Sequence, residues 1–135
     1  MSVQSNGNLR TEWKAAFFGS PKWIQRVYVK DRYDAIAKLT KLYEHIVDLD
    51  NFEMHAPSLS DVDVIFTTWG MPELQDVHLN QMPSLRAVFY AAGTVKGFAK
   101  KLLARNITVV SAWRANAVPV AEFTLAQILL SSKKI

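Results

Sequence analysis

Three short apolar runs, Val62 to Thr67, Arg86 to Ala91 and Ile107 to Ser111, are set apart by turn-like and helix-like segments, and this alternation limits the chain to few architectures. Apolar runs of about four to eight residues without polar alternation suit strands buried on both faces. Parallel neighbours need a long crossover, which the intervening segments supply as helices. Lys14 to Phe18, broken by Gly19-Ser20-Pro21, adds an earlier strand, and Glu44 to Val47 another.

The segments between also have a character. Asp31 to Leu42 places Tyr33, Ile36, Ala37 and Leu39 at helical spacing; Glu73 to Gln81 is helix-like; Lys96 to Arg105 sets Phe98, Leu102 and Leu103 on one side and its basic residues elsewhere. Asn51 to Ser60, with Pro57 inside it, reads as irregular, and residues 1–11 as a polar tail. The expected fold is α/β, an open doubly wound parallel sheet of flavodoxin-like type over residues 12–115. A barrel would need more strands.

Ligands of open sheets sit beyond the carboxyl ends of the strands. Those ends are Gly19-Ser20, Thr67-Thr68-Trp69-Gly70, Ala92-Gly93-Thr94 and Ala112-Trp113-Arg114, expected to border one cleft. Gly93, lacking a side chain, would let the N–H groups of Ala92 to Thr94 approach a carboxylate; its plainer role is to turn the chain. Trp69-Gly70 suits a wall or lid over a small ligand, or simple packing. Asn116 stands before Pro119, which suits a first helical turn, with the asparagine capping or turning. Beyond it Val118, Ala121, Leu125, Ile128 and Leu129 form one stripe while Val120, Phe123 and Leu130 point elsewhere, as in a helix buried between layers. Such a helix needs more protein surface around it.

Composition closes off other classes. With 135 residues, half of them hydrophobic and 21% charged, the chain has the means to bury a core. It has no cysteine, which excludes disulfides, thiolate zinc clusters and thiol nucleophiles, and His45, His55 and His78 lack ligand spacing. An apolar leader or a run of about 20 apolar residues is absent. A soluble, cytoplasmic protein without membrane contact is expected. Residues 1 to 85 carry a net charge of −3 and residues 86 to 135 a net charge of +7, within the formal total of +4. That basic third would attract a small anion, a phosphate-bearing cofactor or nucleic acid, or simply form a solvated face. No groove-reading motif accompanies it, so no nucleic-acid partner is expected.

The order Leu85-Arg86-Ala87-Val88, Ala91-Ala92-Gly93-Thr94-Val95, Asn116 and Val120-Ala121-Glu122-Phe123-Thr124-Leu125 resembles the NAD-dependent D-2-hydroxyacid dehydrogenase family. Asp61 to Pro72 resembles a Trp-Gly subgroup of it, and coverage is best from Asp61 onward. The resemblance implies a substrate-binding domain that grips the carboxylate of a small 2-hydroxy or 2-oxo acid with the amides of Ala92, Gly93 and Thr94. Trp69, Gly70 and Asn116 would complete that site, and Val120 would lie near the nicotinamide of NAD. Residues 116–135 become an interdomain helix leading to a coenzyme domain; where that domain is absent the helix's apolar side chains are expected to be hidden by dimerisation, swapping or refolding, so that this chain forms a homodimer. Two departures stand: Lys96 occupies a position where many members carry Asp, and the G-x-G-x-x-G fingerprint is missing, as are the Arg, Glu and His of the later domain. Alone, the chain is expected to be inactive. The rival is a stand-alone flavodoxin-like binding or signalling module, although Phe17-Phe18-Gly19-Ser20 supplies neither a flavin phosphate loop nor acidic phosphoacceptor residues.

Overall fold

The computed structural model describes residues 12–135; the expected tail over residues 1–11 lies outside them. Five strands, β1 (Trp13–Phe18), β2 (Thr40–Val47), β3 (Val64–Thr67), β4 (Ala87–Tyr90) and β5 (Thr108–Ser111), form one sheet in the order β2-β1-β3-β4-β5. All four pairings are parallel. The expected α/β doubly wound architecture is therefore present.

Six helices connect and follow the strands: α1 (Pro21–Val27), α2 (Lys30–Leu39), α3 (Phe52–Leu59), α4 (Asp76–Asn80), α5 (Ala99–Ala104) and α6 (Trp113–Ser132). Successive strand residues face opposite sides. Ala16, Phe18, Ile65, Val88 and Tyr90 point to one side, where Phe52, Ala56 and Leu59 of α3, Leu79 of α4 and Leu102 of α5 bury them. Phe17 and Phe66 point to the other, where Phe17 lies 4.8 Å from the Tyr28 ring and 5.8 Å from that of Tyr33, between ring centroids. The sheet thus carries helices on both sides. Since β1 is followed by a crossover toward β2 and β3 lies on its other flank, the winding reverses between β1 and β3.

Three boundaries differ from the sequence reading. Residues 40–42 belong to β2, because Thr40, Lys41 and Leu42 pair with Trp13, Lys14 and Ala15 and tertiary pairing overrides their helical period. The segment around Pro57 is the helix α3: Phe52, Ala56 and Leu59, at positions i, i+4 and i+7, all lie in the core, and that burial outweighs the bond the proline removes. Finally, α6 starts at Trp113, so Asn116 and Pro119 are inside it rather than at its entry.

A buried carboxylate ties the strand starts together. Asp63 accepts from the Lys14 N–H at 3.1 Å through its side chain, its own N–H donates to the Lys14 carbonyl at 2.8 Å, and its carbonyl accepts from the Arg86 N–H at 2.8 Å. Three strands are indexed by one residue. Among the described residues no helix is long and apolar enough to cross a membrane.

Candidate functional site

The carboxyl ends of β1 and β3 meet first. Gly19 and Gly70 both adopt positive φ, +126° and +85°, which side chains rarely tolerate. A Cβ on Gly19 would sit 3.4 Å from the Gly70 carbonyl oxygen, so the two turns are closely packed. Trp69 is 44% exposed and meets Trp23 edge to face with ring centroids 5.5 Å apart. Beside this junction lies a hollow of about 340 Å³ lined by Ser20, Asp48, Asp50, Gly70 and Pro72 among others. Asp48 and Asp50 make it inhospitable to an acid substrate.

The turn after β4 is different. The Ala91 N–H donates to the Thr67 carbonyl at 2.9 Å, continuing the ladder, whereas no described acceptor pairs with the N–H groups of Ala92, Gly93 or Thr94. The reason lies in their carbonyls. Thr68 Oγ1 donates to the Ala91 carbonyl at 3.3 Å, and Ser111 Oγ bridges the carbonyls of Ala92, at 3.0 Å, and Gly93. In a trans peptide the C=O and the following N–H point in opposite directions. Tethering three consecutive carbonyls to Thr68 and Ser111 therefore turns the next three amides away from those two hydroxyls.

Asn116 closes one side of this turn. It is the single half-buried residue of α6, and a Cβ on Gly93 would come within 3.0 Å of its Nδ2. Gly93 is needed for that close approach and not for a left-handed backbone, since its φ is not among the positive ones. The Asn116 carboxamide has no hydrogen-bond partner among the described residues. It sits in the first turns of α6, so the partial positive charge of the helix N-terminus adds to the amides. Fixed donors of this kind, with little reorganisation required, suit a small carboxylate.

The sequence-expected residues are thus partly gathered. Ala92 is buried, Gly93 half-buried and Thr94 exposed, and Asn116 joins them. Thr68 links this turn to the β3 end, while Trp69 and Gly70 are engaged with Trp23 and Gly19, and of the two only Gly70 lines, with Ser20, the neighbouring hollow. Val120 stands 59% exposed on α6, one turn beyond Asn116. Ser111 and Thr68 were not legible as positioning groups, because a hydroxyl at a strand end reads as ordinary turn chemistry. Tyr28 also escaped notice: its hydroxyl donates to the Thr67 carbonyl at 2.8 Å, and burial raises its pKa well above the usual phenol range.

A larger hollow, about 440 Å³, lies at the other end of the sheet among Lys14, Lys41, Tyr43 and Asp61. The Lys14 ammonium pairs with Asp61 there and holds that carboxyl below its ordinary pKa. It faces the amino ends of the strands, away from the switch in winding. Among the described residues no group of three potential metal ligands gathers.

A dinucleotide does not fit the described residues on their own. The β1 to α1 turn is the position for a pyrophosphate cradle, but the Gly70 backbone fills the space beside Gly19, and no glycine-rich run follows. No protein-family model, curated protein or solved structure matches the chain.

Proposed function

We propose that this chain is the substrate-binding half of an oxidoreductase that moves hydride between NAD(H) and a small 2-hydroxy or 2-oxo acid, as in D-2-hydroxyacid dehydrogenases. The observation that carries the reading is the β4 turn, where the amides of Ala92, Gly93 and Thr94 and the Asn116 carboxamide have no hydrogen-bond partner among the described residues. An acid bound there would have one carboxylate oxygen facing the amides of Gly93 and Thr94 and the other within reach of Asn116. Its 2-carbon would then project from the strand ends toward the side on which α6 carries Val120.

The chain's own part is binding and orientation. Since the described residues do not cradle a dinucleotide, NAD is assigned to a further protein surface packed against the apolar α6, and the proton transfer to a group there. Trp69 and Gly70, at the adjoining strand end, would border the substrate's remaining atoms.

The test is an amide-resolved NMR titration of the chain with pyruvate and D-lactate, with ethyl pyruvate as the control that lacks the carboxylate. Shifts should concentrate at Ala92, Gly93, Thr94 and the Asn116 side-chain amide for the two acids and vanish for the ester. Equal responses to acid and ester, or shifts confined to Ser20 and Gly70, would overturn the reading. Mixed with NADH and 2-oxo acids, the chain alone should show no turnover.

A further inference from the structure

The hollow of about 440 Å³ at the amino ends of the strands stands apart from the β4 turn, and it owes its shape to an irregularity in β2. Ala15 pairs with Leu42 but Phe17 with Ile46, so two steps along β1 are matched by four along β2. The extra residues leave the ladder as a bulge, a device that re-aims side chains and recurs beside binding sites. Here the residue re-aimed is Tyr43. Its hydroxyl lies 2.9 Å from His55 Nδ1 of α3, and its ring meets those of His45 and His55 edge to face with centroids 5.5 and 5.7 Å apart. The phenol ring is thereby held as one wall of the hollow.

The charges around that ring are uneven. The Lys14 ammonium pairs with Asp61 in the wall. Asp61 is held below its ordinary pKa first by the hydrogen bond from Lys14, and the charge of Lys41 adds to the effect. Lys41 itself has no hydrogen-bond or ion-pair partner among the described residues, so two ammoniums share one carboxylate. Glu44 does little to offset this, because its side chain is 82% exposed and turned to the His45 imidazole at 3.3 Å. The Ser58 hydroxyl of α3 also borders the hollow and makes no hydrogen bond to a described residue.

We propose that this hollow binds a small hydroxylated phosphate monoester, with the phosphate between Lys41 and Lys14, hydroxyls on Asp61 and Ser58, and the carbon skeleton against the Tyr43 ring. A phosphate monoester carries about −1.5 to −2 charge and three strong acceptor oxygens, enough to engage both ammoniums, whereas a carboxylate brings a single charge. The volume of about 440 Å³ lies within the range of small-molecule sites, about 300–1,000 Å³. This site shares no residue with the β4 turn and lies at the opposite end of the sheet, so it does not depend on the proposed function.

The test is an amide-resolved NMR titration of the full chain with glucose 6-phosphate. Saturable shifts should appear at Lys41, Leu42, Tyr43 and Ser58, with a Kd below about 1 mM, while Gly93 and Thr94 stay in place. Glucose, inorganic phosphate and glucuronate, a sugar of similar size bearing a carboxylate, should each bind about tenfold more weakly or less well still. Lys41 is exposed, so Lys41→Gln leaves the core untouched; it should weaken glucose 6-phosphate by about tenfold, and Lys41→Arg should retain most of the affinity. Glucuronate binding as tightly as glucose 6-phosphate, an affinity indifferent to Lys41→Gln, shifts confined to the β4 turn, or no saturable shift at all would each overturn the proposal. A failed response of Gly93 to pyruvate would leave it standing, so the two readings fail separately.

Discussion

Whether the β4 turn holds an anion depends on which way three carbonyls point, and Ser111 commands two of them. Ser111→Ala releases the Ala92 and Gly93 peptides at a cost of about 1 kcal/mol, the net worth of such a bond, and should weaken acid binding by about fivefold. Ser111→Thr retains a hydroxyl and should restore most of the loss, an outcome that a merely space-filling serine would not give. Gly93→Ala pushes on Asn116, since the added methyl would meet Nδ2 at 3.0 Å. Its effect on binding should shrink in an Asn116→Ala background, with a coupling of about 0.5–3 kcal/mol in a calorimetric double-mutant cycle. Additive effects would show that the two residues act apart. In the sequence Gly93 and Asn116 were each legible, Gly93 from its place after a strand and Asn116 from the order of segments. Their contact was not, because it depends on α6 beginning early enough to place residue 116 one turn inside.

Two of the three elements that differ from the sequence reading contain a proline, and in both the burial or continuity of the surrounding helix outweighs the local signal. In α3, Pro57 cannot donate to the Glu53 carbonyl, yet Asn51 and Asp48 fix the entry: Asp48 Oδ1 accepts from the Asp50 and Asn51 amides at 2.9 and 3.0 Å, and Asn51 Nδ2 donates to the Ile46 carbonyl. Phe52, Ala56 and Leu59 then bury one face. Pro57 itself is exposed, so Pro57→Ala restores a helical hydrogen bond without disturbing the core. Helix interiors lose about 3 kcal/mol to proline, and greater freedom of the unfolded chain returns up to about 1 kcal/mol of that, leaving an expected gain of about 2–3 kcal/mol. Urea unfolding would register it as a higher midpoint with an unchanged slope; a lower midpoint would mean the proline is fitted to a kink that the core requires. The same kind of residue misled the reading of α6: Pro119 suits a first turn, but seven residues starting at Trp113 run up to and include it as helix. Strands were read more securely, since β3, β4 and β5 are short apolar runs with clear breaks on either side.

At the scale of the molecule, alternation of strands and helices was enough to give the sheet and its winding, because parallel neighbours leave few alternatives. Which parts of each face would be left bare was not legible, since exposure depends on strand order, and β4 and β5 lie farthest from α1 and α2. Among the described residues every core residue lies between Ala15 and Ile107, and α6 contains no buried side chain. The five-stranded unit should therefore fold without most of α6. A chain ending at Ala117 keeps Asn116 over Gly93 and discards the apolar side chains of α6 after Trp113; its circular dichroism should lose the helical signal of α6 while its cooperative unfolding persists. The contrast with the full chain lies in concentration. If a second copy covers the apolar side chains of α6, mass action makes the full chain's Tm climb with protein concentration, whereas the shortened chain, with nothing to exchange, unfolds at one temperature throughout. A full chain whose Tm is equally flat would mean that α6 contributes no association, and a shortened chain that fails to unfold cooperatively would mean that the sheet depends on α6 in a way its exposed side chains do not reveal.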